Sequence, residues 1–330
     1  MKKNLTYAGL LTIGLLTFAG CTKDEGPAAG KPTVAYSDTQ ILPSASVSAG
    51  DVSIVPESKA PVAGGTDESE ALKLNFARLD QTDGSNYDLA WSTTPFTADR
   101  AKAVGSTATT LSNFSTTQYY LAKGNTKITG WYPAGTYVDG MVTWALTGQE
   151  DVMTAPAQEG NKSSAMPALA FAHKLAQIQV YVYADTEEAK ASWGKISSIT
   201  IDEQPQTVTY TLASGAADGT VAATGSSTIA VFTPGSEGNL DVPVIKTGDS
   251  SSTPLSAGTV MIAPLTGANP LKITIVSEKV PEGKQVEIKG ERAASTAYKI
   301  TLKLVVKNIE PSATIGGWTA VADDADVDVQ

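Results

Sequence analysis

The sequence predicts an all-β protein in which the strands pack as β-sandwiches. Short segments alternate apolar and polar residues with the two-residue period of a strand. Turn-forming Gly, Pro, Asn and Asp residues separate these segments at short intervals, as they do in sandwiches. Only the stretch TEEAKASWG, residues 186–194, has a helical pattern. A chain of 330 residues favours two such domains, since a domain commonly has about 150 residues.

Three segments show the strand period most clearly. In ALKLNFARLD, the residues Leu72, Leu74 and Phe76 share one face, and the residues between them are polar. The segments LAQIQVYVYAD (175–185) and AYKITLKLVVKN (297–308) alternate in the same way. We expect each segment to bury one face against a second sheet.

The N-terminus has the pattern of a secretory signal peptide, which is predicted to cover residues 1–20. Two lysines precede an apolar run over residues 5–18, which is shorter than the roughly 20 apolar residues of a membrane-spanning helix. Cys21 is the only cysteine, which excludes an internal disulfide and a zinc site built on several thiolates. A chance cysteine behind an ordinary signal peptide is the alternative to a processed one.

Residues 21–70 are predicted to form a flexible tether. Stretches such as KDEGPAAGKPTVAYSD are rich in Pro, Gly and Ala, and this composition buries too little apolar surface to offset its ordering entropy. The remainder is predicted to divide into an N-terminal sandwich over residues 71–160 and a C-terminal sandwich over residues 161–330. The boundary is placed in TAPAQEGNKSSAMPA, residues 154–168, where Pro, Gly and small polar residues interrupt the strand pattern.

Composition and motifs argue against a nucleic-acid partner, a cofactor and an enzyme. The net charge is −10, whereas binding to nucleic acid requires clustered Lys and Arg. The sequence has no GxGxxG, P-loop or GxSxG motif. His173 is the only histidine and has no activated serine motif beside it, so we expect a structural imidazole. No cofactor and no metal site are therefore predicted.

Two further groups of residues are expected to be structural. Three C-terminal aspartates are spaced two apart, but without the Gly turn and the bidentate Glu of a calcium loop they predict a solvated acidic end. They are Asp324, Asp326 and Asp328. The tryptophans lie mostly in strand-like runs, which predicts core packing rather than exposed platforms for sugar rings. They are Trp91, Trp131, Trp144, Trp193 and Trp318.

The sequence around Cys21 resembles the lipobox of a bacterial lipoprotein. The motif reads FAGC, with Phe18 where such motifs usually have Leu. The resemblance implies cleavage before Cys21 and acylation of its thiol and new amino group, palmitate included. Several acyl chains anchor a protein firmly, since each buried CH₂ contributes about 0.8 kcal/mol. The following TKDE resembles the acidic export tag of Bacteroidetes surface lipoproteins, which implies exposure at the cell outer membrane.

Three longer motifs together resemble the fimbrillin family, the subunits of lipoprotein-derived pili of Bacteroidales. They are ITGWYPAG with VTWALTGQEDVMTAP, then FAHKLAQIQVYVYA, then AYKITLKLVVKNIEPSATIGGWT. The resemblance implies two tandem transthyretin-like β-sandwich domains and a structural or adhesive role in a surface pilus. It also implies association with other fimbrillin subunits, in a homopolymer or a heteropolymer, and no catalytic site.

The resemblance further implies proteolytic maturation. In fimbrillins an arginine-specific protease cuts in an early loop and removes the first strand, and a donor strand from a neighbouring subunit fills the groove. Here the cut would follow Arg78, which ends the first alternating segment, or Arg100, which lies in the loop-like stretch TADRAKAVG. The removed strand would carry the groove-filling residues Leu72, Leu74 and Phe76.

The implied donor strand is the C-terminal stretch of residues 319–330. Its apolar positions Val321, Val327 and Val329 are few and are interrupted by aspartates. A role as stalk, tip or anchor subunit therefore stays open. The alternative function is a surface glycan-binding lipoprotein that does not polymerise, which would require two or three coplanar exposed aromatic residues.

Overall fold

The structure consists almost entirely of β-strands. The computed structural model describes residues 34–47, 71–82, 86–100, 108–213, 219–236, 238–248, 252–306, 308–317 and 326–327. The signal peptide and the predicted residues Cys21, Val321, Val329, Trp318, Asp324 and Asp328 lie outside these ranges. In the described ranges no helix is both long and apolar enough to cross a bilayer.

The strands of the first half of the chain are β1 (Tyr36–Gln40), β2 (Ser44–Val47), β3 (Leu72–Asp80), β4 (Phe96–Arg100), β5 (Thr109–Thr110), β6 (Tyr119–Leu121), β7 (Thr126–Tyr132), β8 (Thr136–Val138), β9 (Met141–Ala145), β10 (Met153–Gly160) and β11 (Leu169–His173). The strands of the second half are β12 (Ala176–Ala184), β13 (Ile196–Gln204), β14 (Thr207–Thr211), β15 (Thr220–Thr224), β16 (Ser227–Phe232), β17 (Leu255–Ile262), β18 (Leu271–Ser277), β19 (Lys284–Ile288), β20 (Thr296–Val305), β21 (Asn308–Gly317) and β22 (Asp326–Val327). The predicted all-β fold class is confirmed.

The predicted short helix is present as α1 (Glu187–Trp193). It begins after Thr186, whose hydroxyl accepts a hydrogen bond from the Ala189 N–H at 3.1 Å and so caps the first turn. It ends at Gly194, which has a φ of 68°, a backbone angle that favours glycine. Trp193 is buried, and its indole N–H donates to the carbonyl of Val305 at 2.9 Å. The helix is thereby fixed to the end of β20.

The strands form four larger sheets and one ribbon within the described residues. The first sheet has the order β4-β3-β7-β10-β11-β2-β5, and the ribbon joins β1 to β6. Two further sheets have the orders β17-β12-β20-β21-β22 and β16-β13-β18-β19. Val180, Ile300 and Ile273 come from both of these sheets and lie in one apolar core, so the two sheets pack as a β-sandwich. The last sheet has the order β15-β14-β9-β8.

The boundary predicted at residues 160/161 falls inside a sheet. β10 ends at Gly160 and pairs with β11, which lies beyond the boundary. The sheet β15-β14-β9-β8 likewise joins strands from both sides of it, since Trp144 on β9 lies opposite Val208 on β14. A buried cluster that includes Trp131, Tyr210 and Met261 also contains residues from both halves. Residues Ala35–Gln330 accordingly form one compact unit.

Part of the stretch expected to be a tether is folded. β1 and β2 lie within residues 36–47, and Ile41 and Ala45 are fully buried. β2 runs parallel to β11, with Ala45 opposite Leu169. The prediction of a tether is therefore wrong for residues 36–47, because neighbouring strands supply the burial that this largely polar segment lacks by itself. Residues 48–70 lie outside the described ranges.

The apolar core beside the first sheet, which we call the N-terminal core, includes Leu74, Phe76, Ile128 and Phe171. This core requires a glycine at one position of β7. A Cβ atom on Gly130 would lie 2.6 Å from Cζ of Phe171 and 2.9 Å from Cδ1 of Phe76. Phe76 stacks on Phe96 at 5.3 Å between ring centroids and meets the edge of Phe171 at 6.2 Å. The aromatic rings therefore pack directly against the backbone of β7, where only glycine leaves room.

We expect Gly130→Ala to lower the free energy of unfolding of the full chain by at least about 1–3 kcal/mol, because the added methyl group overpacks the core. Urea denaturation followed by tryptophan fluorescence measures this change. Gly267→Ala is the control, since an added Cβ there meets no atom within 4 Å. Equal stability of the two variants would contradict the close approach.

Candidate functional site

The strand expected to be removable, β3, lies inside a sheet. It pairs on one side with β4, where Leu74 lies opposite Ala98, and on the other with β7, where Phe76 lies opposite Gly130. Leu72, Leu74 and Phe76 are buried in the N-terminal core. Withdrawal of β3 would unpair two neighbouring strands and open this core. The arrangement does not suit a segment that leaves a stable fold behind.

Arg78, the first proposed cleavage point, is buried within β3 and is only 8% exposed. Its Nε donates to the two carboxylate oxygens of Asp80 at 2.9 and 2.8 Å, and one Nη donates to the Thr126 hydroxyl at 3.2 Å. The Thr126 hydroxyl donates in turn to Asp80 at 2.7 Å. The Arg78 guanidinium also lies 5.1 Å from the centre of the Tyr36 ring. An arginine held in this way is not available to the specificity pocket of a protease.

Arg100, the second proposed cleavage point, is also buried. It is the last residue of β4, is 2% exposed, and its Nε donates to the carbonyl of Ala45 at 3.0 Å. Burial lowers the pKa of its guanidinium from the ordinary value, because desolvation disfavours the charged form. The expectation of an exposed loop is therefore wrong for Arg100 itself. β2 covers this side chain, a contact between segments far apart in sequence.

The remaining arginine is enclosed as well. Arg292 is 3% exposed, and its guanidinium lies 4.9 Å from the centre of the Tyr298 ring. One Nη donates to the carbonyl of Glu291 at 2.9 Å. The chain has three arginines, and all three are buried. The folded protein therefore offers no exposed arginine side chain to an arginine-specific protease.

A different segment, residues 34–47, has the features of a detachable piece. We call it the N-terminal segment. β2 lies between β11 and the two-residue strand β5, close to one end of its sheet. Along the segment, backbone N–H groups and carbonyls bond to several neighbours. The Ile41 N–H donates to Gln118, the Leu111 N–H donates to Pro43, and the Ala122 N–H donates to Ala35, at 2.8, 3.0 and 2.9 Å.

Loss of the N-terminal segment would leave a defined groove. The edge of β11 and the backbone groups of Gln118 and Leu111 would lose their partners. The core would lose the fully buried side chains of Ile41 and Ala45. A groove of unpaired backbone groups over an apolar floor accepts another extended chain. The local sequence signal for this segment is the apolar pair Ile41–Leu42 followed by Ser-Ala alternation.

One of the three predicted donor residues lies in the described part of the chain. Val327 belongs to β22, which pairs with β21 at the edge of its sheet, opposite Ala313. Asp326 lies opposite Thr314 in the same pair. Of the predicted acidic cluster only Asp326 is described, and the described residues contain no group of three His, Cys, Asp or Glu side chains that could hold a metal ion.

His173 lies in a structural setting. Its Nδ1 is 2.7 Å from a carboxylate oxygen of Asp151, and both side chains are buried. The nearby Ser295 hydroxyl donates to the backbone carbonyl of His173 at 2.6 Å. This hydroxyl binds the backbone of His173, which is not the contact of a Ser-His-Asp site. The pair connects the end of β11 to the chain just before β10.

The tryptophans that the structure describes are core residues. Trp91, Trp131, Trp144 and Trp193 are all buried, and the Trp144 indole donates to the carbonyl of Pro133 at 3.0 Å. Trp131 stacks on Tyr137 with 5.2 Å between ring centroids. None of the four presents a face to solvent for a sugar ring.

Removal of the Asp80 carboxylate should leave the buried Arg78 charge without its closest counter-ion. We expect Asp80→Ala to lower the free energy of unfolding by about 3–5 kcal/mol, measured by chemical denaturation. Asp241→Ala is the control, because its pair with Lys190 at 2.8 Å lies at the surface, and it should cost less than about 1 kcal/mol. A smaller effect at Asp80 than at Asp241 would contradict the buried pair.

Several solved protein structures share the fold of this chain. The fold resembles that of a candidate cell adhesion protein from Bacteroides uniformis, with a TM-score of 0.54, 18% identity, and coverage of 86% of this chain and 99% of that one. A candidate cell adhesion protein from Bacteroides ovatus has a TM-score of 0.50 and 13% identity, with coverage of 90% of this chain and 99% of that one. A fimbrial assembly protein from Parabacteroides distasonis has a TM-score of 0.45 and 11% identity, with coverage of 84% of this chain and 96% of that one. No curated protein sequence is significantly similar to the chain.

The family itself is shown by sequence. The model of the fimbrillin-like family matches residues 65–318, which is well over half of the chain. The match includes every strand described above except β1, β2 and β22. The chain therefore belongs to the fimbrillin-like family, whose members are structural and adhesive subunits of fimbriae and are not enzymes.

Proposed function

We propose that the chain is a structural or adhesive subunit of a pilus on the cell surface. Family membership and the fold shared with cell adhesion proteins support this function. The motif FAGC supports export as a lipoprotein that is acylated at Cys21 and anchored in the outer membrane. Its partners are other fimbrial subunits, identical or related. We retain two tandem transthyretin-like sandwiches as part of the proposal. Two of the sheets contain strands from both sides of the predicted boundary at residues 160/161.

Assembly proceeds by strand exchange, and the N-terminal segment is the piece that is exchanged. This differs from the removal of β3. The burial of β3 argues against its release, because Leu74, Phe76 and Ala77 are fully enclosed and each large side chain contributes about 1.5–3 kcal/mol. Among its described side chains, the N-terminal segment buries Ile41, Pro43 and Ala45, and only Ile41 is a large apolar side chain, so its release costs less than that of β3.

The groove left by this segment defines the donor. It requires a medium-sized apolar side chain in place of Ile41 and a small one four residues later in place of Ala45. In the C-terminal stretch, Val321 and Ala325 have the same spacing and nearly the same sizes. We propose that this stretch of a neighbouring subunit leaves its pairing with β21 and enters the groove, with Val327 and Val329 continuing the strand. Such a head-to-tail contact does not close on itself and so produces a fibre.

Release requires a cut between the N-terminal segment and β3. Residues 48–70 contain no arginine and one basic residue, Lys59. We propose a protease that cuts within residues 48–70, with the bond after Lys59 as the first candidate. The burial of Arg78 and Arg100 argues against an arginine-specific enzyme acting on the folded subunit.

A glycan-binding role is supported less well. The aromatic side chains that are clearly exposed in the described residues are Tyr36 and Tyr119, at 54% and 40%. They lie on the paired strands β1 and β6, and the Arg78 guanidinium covers one face of the Tyr36 ring. Stacking on a sugar requires a free ring face. Tyr36 also belongs to the segment that leaves during assembly.

N-terminal sequencing of protein recovered from the surface of the native bacterium tests the maturation. We expect assembled material to begin within residues 48–71 and to run as a ladder on unboiled gels. Lys59→Gln should leave the precursor uncut if the cleavage follows Lys59, while Lys279→Gln, at an exposed lysine elsewhere, serves as the control. An acylated Cys21 on every molecule, or a start at Leu79 or Ala101, would contradict release of the N-terminal segment.

A further inference from the structure

Strand β15 is an unprotected sheet edge. It ends the sheet β15-β14-β9-β8 and, among the described residues, pairs only with β14. Four of its residues are exposed and Val221 is half-buried. An edge strand of this kind presents backbone N–H and C=O groups to solvent and can accept another strand.

The edge also lacks the usual defences against pairing. Proteins commonly protect an edge with charged residues, proline or a bulge. The sequence from Gly219 to Gly225 is GTVAATG, which contains neither a charge nor a proline. The ladder between β14 and β15 is continuous from Thr207–Thr224 to Thr211–Thr220, without a bulge.

The adjoining sheet face is free of charge as well. Seven of its eleven outward residues are threonine, in a chain with a net charge of −10. The eleven residues are Thr136, Val138, Met141, Thr143, Ala145, Thr207, Thr209, Thr211, Thr220, Ala222 and Thr224. Two copies of an acidic chain repel each other, and the repulsion is least where neither copy carries a charge. The charge distribution therefore favours a second copy as the partner of this edge.

The sequence of the edge matches itself when two copies run antiparallel. With Ala222 opposite its own counterpart, Thr220 lies opposite Thr224, and Gly219 lies opposite Gly225. Val221 then lies opposite Ala223, which is the one unequal pair. Thr–Thr pairs across antiparallel strands are favourable. Few registers of a five-residue strand would match this well.

We propose that β15 of one copy pairs antiparallel with β15 of a second copy, centred on Ala222, so that two four-stranded sheets become one sheet of eight strands. The contact is two-fold symmetric and closes on two copies. It therefore differs from head-to-tail strand exchange and would join subunits or fibres side by side. The inference does not depend on the exchange of the N-terminal segment.

The pairing should be weak in dilute solution. A five-residue strand buries far less than the roughly 1,200 Å² at the lower limit of a stable interface. The contact should fill only at high local concentration, as between chains held in one surface or fibre. A trapping experiment is therefore more suitable than measurement of a free dimer.

Disulfide trapping tests the contact directly. The full chain with Cys21→Ser has no other cysteine. In this background, Ala222→Cys places two thiols directly opposite each other, at a separation that a disulfide spans. We expect mild oxidation at high protein concentration to link Ala222→Cys into dimers at least about tenfold faster than Ala230→Cys, an exposed control position on β16. Equal rates for the two variants would overturn the proposal.

A charge pair tests the register. In the Ala222→Cys background, Thr220→Lys with Thr224→Lys brings like charges together across the interface, whereas Thr220→Lys with Thr224→Glu brings opposite charges together. We expect the Lys/Lys variant to form disulfide dimers at least about fivefold more slowly than the Lys/Glu variant. If the rate depended only on the overall repulsion between two acidic chains, the Lys/Lys variant would form dimers faster, because its two lysines lower the net negative charge. Equal rates or the reverse order would overturn the register.

Discussion

Residues 34–47 provide β2, which pairs with the backbone of β11 near one end of the seven-stranded sheet. β11 would otherwise present a free edge beside an opening in the apolar core, and β2 fills both through its parallel pairing and the burial of Ala45. The same segment covers Arg100 and contributes Tyr36 to the environment of Arg78. The proposed maturation, groove and donor strand all depend on this one docked piece of chain.

The contrast between β2 and β3 supports the proposal that the N-terminal segment, rather than β3, is released. Both are close to the N-terminus, and both pack on the same core. β3 is nine residues long, paired along both edges, and held by the Arg78–Asp80–Thr126 network, whereas β2 has four residues and one substantial neighbour. A fold that loses β3 would also lose the floor of any groove. A fold that loses β2 keeps β3, β7 and β11 as a frame for a replacement strand.

Strong local patterns made much of the fold predictable. β12 and β20 alternate over nine and ten residues, and α1 carries its own Thr cap and terminal Gly. The Gly130 approach, the burial of the arginines and the strand nature of residues 36–47 depend on partners distant in sequence. Arg100 illustrates the difference, since its local sequence resembles a loop and its contact with Ala45 crosses 55 positions. Motifs in the sequence thus predict the family, whereas the burial of Arg78 and Arg100, which argues against cleavage there, depends on distant partners.

Reconstitution of the groove is the most direct test of the account. A specific protease site is inserted within residues 48–70 of the full chain, the chain is cut, and the N-terminal fragment is removed. The remaining protein is titrated with a synthetic peptide of residues 34–47. The account predicts one-to-one binding that restores the thermal stability of the uncut protein, and much weaker binding by the peptide with Ile41→Asp. Equal binding of the two peptides, or an unfolded protein that neither peptide restores, would contradict it.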